Sequence, residues 1–65
     1  MNEYFVKIGV IHENSTAYYR GADHTFIIRD KTGKEACNKA FDKVSEQFTR
    51  TGQRVRLELL DIKKL

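Results

Sequence analysis

The chain has 65 residues, 40% hydrophobic and 32% charged, with a formal net charge of +3 and neither proline nor tryptophan. That length holds one small domain, residues 1–65, and excludes a Rossmann domain, a barrel or a second lobe closing over an active site. One cysteine rules out an internal disulfide, and two histidines (His12, His24) fall short of a structural zinc set.

No apolar run reaches the roughly 18–20 residues of a membrane span, so no membrane partner is expected. Met1-Asn2-Glu3 lacks the basic start of a secretory signal, and the expected compartment is the reducing cytoplasm. The charge is uneven: residues 1–30 carry three basic against four acidic groups, residues 31–65 nine against five. A modest basic excess favours acidic protein surfaces or polyanions and excludes a mimic of DNA, which would have to be strongly acidic.

Residues 4–12 alternate with period two. Tyr4, Val6, Ile8 and Val10 fall on one face, Phe5, Lys7, Gly9 and Ile11 on the other, and the β-branched and aromatic content predicts a strand. Glu13 to Thr16 are turn-forming and lead into a second extended run, 17–29, interrupted at Gly21 and Asp23. The interruption predicts a bulge or register change within a β-hairpin rather than a second turn.

Thr32 stands three residues before Glu35, the spacing of a capping box, and opens a helix of about 18 residues. Its apolar stripe is Cys37, Ala40, Phe41, Val44 and Phe48, with Ala36 beside it. The opposite face carries Lys39, Asp42, Lys43, Glu46 and Arg50, and Thr51-Gly52 is the stop. Residues 54–60 alternate again, with Val55, Leu57 and Leu59 opposed to Arg54, Arg56 and Glu58; Lys63, Lys64 and Leu65 read as a tail.

The order is therefore β-β-α-β, an α+β class in which one helix covers one face of a three-stranded sheet. Pairing the last strand with the second would need a parallel crossover. Pairing it with the first gives an antiparallel sheet of order 2-1-3, favoured because the first strand is the most apolar on both faces.

Candidate chemistry is sparse. Asp30-Lys31-Thr32-Gly33 resembles the phosphorylated-aspartate motif of the P-type cation pumps. The resemblance covers four residues, and the family's Mg²⁺-binding aspartates lie on a much larger α/β domain, so the reading here is a turn with a helix cap. Asn14-Ser15-Thr16 fits a glycosylation sequon and reads as the hairpin turn. Cys37 lies on the apolar stripe as a small hydrophobe, and His12 and His24 fall on the hairpin as exposed or edge residues. No cofactor, metal or catalytic group is implied, and an enzyme is not expected.

What remains is the sheet face away from the helix. It is expected to hold Phe5, Lys7, Ile11, Tyr19 and Ile27, with Arg54, Arg56, Glu58, Leu60 and Ile62 from the last strand. Large apolar groups among arginines mark an interaction surface. The expectation is a non-enzymatic protein-binding module or regulator, contacting another protein or itself as a homodimer through Phe5, Lys7, Tyr19, Arg54, Arg56 and Leu60. The alternative is a small basic domain that stacks single-stranded RNA or DNA on its sheet. The plan is similar in size and architecture to small phage-encoded or mobile-element proteins that bind a host protein.

Overall fold

A computed structural model describes residues 1–13 and 17–65. The elements are β1 (Asn2–Glu13), β2 (Tyr18–Arg20), β3 (His24–Asp30), α1 (Gly33–Thr51) and β4 (Val55–Lys64). The α+β class and the antiparallel sheet agree with the sequence reading, but there are four strands rather than three, because the second extended run is broken in two. The turn and the sequon at Asn14, Ser15 and Thr16 lie outside the described residues.

β1 is the centre of the sheet. Its residues Tyr4 to Ile8 have partners in both β3 and β4, and Ile11 and His12 have partners in both β2 and β4. β2 and β3 therefore lie end to end along one side of β1, with β4 along the other. Between them is a bulge. Ile8 pairs with His24 and Ile11 with Arg20, so three steps on β1 face four on the partner, and the Gly21 N–H donates to the Val10 carbonyl at 2.9 Å.

β4 carries a second bulge. Lys7 pairs with Asp61 and Ile8 with Leu59, leaving Leu60 as the extra residue. The strand also runs further than expected: Lys63 and Lys64 are paired with Phe5 and Tyr4, and the Leu65 N–H donates to Glu3 at 2.8 Å, so the expected tail is ladder.

One extra residue turns every later side chain to the opposite face. Two expectations are corrected by this. Tyr19 pairs with His12 and lies on the helix side, while Tyr18 and Arg20 take the open face. Ile62 pairs with Val6 and packs against the core instead of facing away from it.

The core lies between sheet and helix. Val6, Ile8, Val10 and Val44 are fully enclosed, with Tyr4, Ile28, Ala36 and Ala40 completing the cluster. Each of the larger aliphatics contributes roughly 1.5–3 kcal/mol by leaving water. The alanines let the helix approach β1 closely, and Phe41 and Phe48 flank that seam half-buried. Cys37 is half-buried too, and burial pushes its thiol up.

Both ends of α1 follow the sequence signals. Thr32 Oγ1 accepts the Glu35 N–H at 3.2 Å, and Gly52 adopts φ 71°, its N–H reaching back to Phe48 and Thr49. Glu46 and Arg50 form an ion pair one turn apart at 3.2 Å. Among the described residues, no helix is long and apolar enough to cross a membrane.

Candidate protein-binding face

The period-two alternation of β1 sends Phe5, Lys7, Gly9 and Ile11 away from the helix. Register then places their neighbours: Ile27 and Lys63 beside Phe5, Thr25 and Asp61 beside Lys7, Glu58 beside Gly9, and Arg20 and Arg56 beside Ile11. No other described element covers this face.

All of its charges but Arg54 are paired one to one. Arg29 meets Glu3 at 3.6 Å, Lys7 meets Asp23 at 3.8 Å, Arg20 meets Glu58 at 3.1 Å, Arg56 meets Glu13 at 3.5 Å and Lys63 meets Asp61 at 3.6 Å. Five cations and five acids cancel, and exposed Arg54 leaves the face with a single unmatched positive charge. The rest of the net charge of +3 resides on α1 and Lys64. The face is therefore far less cationic than its arginines suggest. The physical reason is cross-strand pairing, since opposite charges on neighbouring strands stand within reach of each other. Such exposed pairs are worth only about 0.2–1 kcal/mol each, so they set charge balance more than stability.

The apolar groups are set between these pairs. Ile27 is 59% exposed beside half-buried Phe5. Leu60, at the β4 bulge, lies over Gly9: a Cβ on that glycine would meet Leu60 Cδ1 at 3.0 Å and the Arg20 guanidinium at 3.1 Å. Glycine at this point lets a leucine and an arginine lie flat on the sheet.

At one end of the face three rows converge, Arg20–Ile11–Arg56, Tyr19–His12–Val55, and Tyr18 with Arg54 on either side of Glu13. Tyr18 is 68% exposed with the Arg56 guanidinium 5.9 Å from its ring centre. Arg54 is exposed, its carbonyl accepts the Glu13 N–H at 3.2 Å, and no ion pair among the described residues holds its side chain. The structure thus brings Arg54 and Arg56 together with Tyr18, a residue the sequence reading missed. It sets Phe5, Lys7 and Leu60 further along the same face. Tyr19 belongs to the other side of the sheet.

There it joins an aromatic cluster. The His12 ring stacks on Tyr19 with centroids 4.8 Å apart, and Phe48 presents its edge to both His12 (5.5 Å) and His24 (6.0 Å). The histidines, expected as exposed or edge residues, are half-buried here, packed beneath the last turn of α1, with His24 at the start of the edge strand β3. The available signal was the parity of His12 with Val6, Ile8 and Val10, which puts it on the helix-facing side.

Asp30 ends β3 and is 6% exposed. Its Oδ1 accepts the Lys31 N–H at 2.7 Å, and its Oδ2 forms an ion pair with the Lys39 ammonium at 2.6 Å. Lys39, and then the Lys31 N–H, hold the Asp30 carboxyl down to about 2. The adjacent Glu35 is raised, first by its hydrogen bond to Asp30 and then by that carboxylate's charge. These residues, with Lys31 and Asn38, line an open cavity of about 410 Å³ at the start of α1. The geometry is that of a strand end tied to a helix start, the turn-and-cap reading of this segment. Lys39 serves Asp30 across the turn, and Glu35 lies against the same carboxyl. No cluster of three or more histidine, cysteine or acidic side chains suited to a metal occurs among the described residues.

Comparison with protein-family models, with curated proteins and with solved structures gives no match for this chain.

Proposed function

We propose that the chain is a small non-enzymatic protein-binding module, a regulator that acts through its open sheet face. Phe5, Lys7, Ile27, Leu60, Arg54 and Arg56 are its contact residues, with Tyr18 replacing Tyr19. The carrying observation is Ile27, a large aliphatic 59% exposed beside Phe5 on a face that no described element covers. Tyrosine and arginine gathered at one end of that face have the composition of binding hot spots. A single cysteine without a disulfide suits work in the reducing cytoplasm.

Charge balance favours a protein partner over a polyanion. Every open-face cation but Arg54 already has an acid beside it, so a phosphate backbone would have to displace Glu3, Glu13, Asp23, Glu58 and Asp61. The test is capture from host lysate on the immobilised chain, with and without nuclease and at low and high salt. Capture should survive both treatments and fall at least tenfold with Ile27→Lys or Tyr18→Ser, variants of exposed residues that leave the circular dichroism unchanged. Capture abolished by nuclease and falling steeply with salt would instead identify nucleic acid as the ligand. Capture indifferent to both substitutions would remove this face from the function.

A further inference from the structure

None of the ten residues of the edge strand β4 is buried. Val55, Leu57, Leu59 and Ile62 share the helix-facing side with Val10, Ile8 and Val6; Val55, Leu57 and Ile62 pack half-buried against the core, and Leu59 stays exposed at the edge. Leu59 pairs with fully enclosed Ile8 and is itself 43% exposed. Beyond this row the strand's outer backbone has no partner strand among the described residues, where β4 pairs only with β1.

The direction of those free groups follows from one bond. The Arg54 carbonyl accepts from Glu13, so Arg54, Arg56 and Glu58 turn their backbone groups toward β1, and Val55, Leu57 and Leu59 turn theirs outward. Past Leu59 the bulge breaks the edge, and Lys63 and Lys64 follow, which blunts that half against pairing. The free half is Val55-Arg56-Leu57-Glu58-Leu59.

This segment is its own complement. Run antiparallel to a copy about Leu57, Val55 meets Leu59, Leu57 meets Leu57, and Arg56 meets Glu58 twice. We propose that two copies of this chain associate through β4, on a two-fold axis at Leu57. About six backbone hydrogen bonds from Val55, Leu57 and Leu59 join the strands. Half-buried Val55 and Leu57 and exposed Leu59 meet their counterparts on the helix side, and two Arg56–Glu58 pairs form on the open side. The result is one continuous sheet with both helices on one face and both binding faces on the other. The opposite edge lacks this match: β3 paired about Ile27 would set Arg29 against Thr25. The pairing uses the edge and draws only Arg56 from the contact residues proposed above, leaving Phe5, Lys7, Tyr18, Ile27, Arg54 and Leu60 free, so either reading can fail without the other.

The test is mass in solution by sedimentation or light scattering over a concentration series. The wild-type chain should reach about 15 kDa, twice the 7.6 kDa of one chain. Arg56→Glu places two acids opposite each other in every pair, and Glu58→Arg two cations, so each alone should return to 7.6 kDa. An equimolar mixture of the two variants contains only opposite-charge pairs across the axis and should recover about 15 kDa. Mixing cannot restore the Arg56–Glu13 and Arg20–Glu58 pairs within a chain, so recovery reports the contact between copies. A wild-type mass of 7.6 kDa throughout, single variants that stay dimeric, or a mixture that stays monomeric overturns the proposal. A second variant serves if either charge change unfolds the chain. Leu57→Cys in a Cys37→Ser background brings two thiols onto the axis, with Cα atoms about 5.5 Å apart, within disulfide range. It should oxidise to a covalent dimer, and a folded variant that stays monomeric also overturns the pairing.

Discussion

Gly21 offers a prediction whose sign depends on the structure. Its φ lies outside the left-handed region, so an alanine is compatible with the backbone, and Gly→Ala at such a site ordinarily stabilises by about 0.4–1 kcal/mol through the unfolded chain. Here a Cβ would stand 2.6 Å from His12 Nε2 and 2.9 Å from His12 Cδ2. The ring must move, and it is held between Tyr19 and the edge of Phe48. Losing both ring contacts, at about 0.5–1.5 kcal/mol each, outweighs the entropic gain. Gly21→Ala should therefore lose about 1–2 kcal/mol net. At roughly 4–8 °C per kcal/mol for a chain of this size, its melting temperature should fall by about 4–16 °C. The assay is thermal unfolding by circular dichroism of Gly21→Ala, His12→Ala and the double variant. The glycine substitution should become neutral or stabilising once His12 is gone. Melting at or above wild type in the single variant, or an undiminished loss beside His12→Ala, refutes the reasoning.

Three further outcomes concern the ends of α1. Asp30 is held down to about 2 against a reference of 3.8, so its stabilisation is full above the unfolded value and lost as pH falls from about 4 toward 2. Acid unfolding followed by circular dichroism should show this loss, and Asp30→Asn should lack that component. Lys39 is raised by the same contact, so its stabilisation is full below 10.5 and lost as pH rises above it; Lys39→Met should remove the alkaline component. At the other end, Gly52 has φ 71°, and a side-chain methyl added there would find nothing within 4 Å. Gly52→Ala should therefore lose only the backbone contribution, about 1 kcal/mol, and Gly52→Asn less, measured by urea unfolding.

The sequence carries the element order because each element has its own period: two in β1 and β4, three to four along Cys37, Ala40, Phe41, Val44 and Phe48. Thr32 and Gly52 mark the helix ends because capping and a positive φ are local chemistry. What was not legible was where an extra residue would be absorbed. Gly21 and Asp23 announced a break, but its effect on Tyr18 and Tyr19 depended on pairing with Val10 and Ile11, a contact across the hairpin. Leu60 left a weaker sign. The Leu59-Leu60 doublet breaks the alternation before Asp61 and Ile62, but only the partners Lys7 and Ile8 show which residue is supernumerary. The candidate face suffered similarly. Its side chains were mostly identifiable from alternation, whereas the neutralisation of Arg20, Arg29 and Arg56 arises from strand registers that the linear order does not state.

The Leu60 bulge also bears on how this chain can change length. Leu59 and Asp61 already keep adjacent partners on β1, so excising Leu60 joins them into an unbroken ladder in which every remaining β4 residue retains its neighbour and its side of the sheet. The same excision at Leu57 would displace Val55 and Arg56 from His12 and Ile11 and invert both. One codon in the strand is therefore expendable to the architecture while those around it are not, and deletions that persist in this segment should concentrate there, at the loss of the leucine that roofs Gly9.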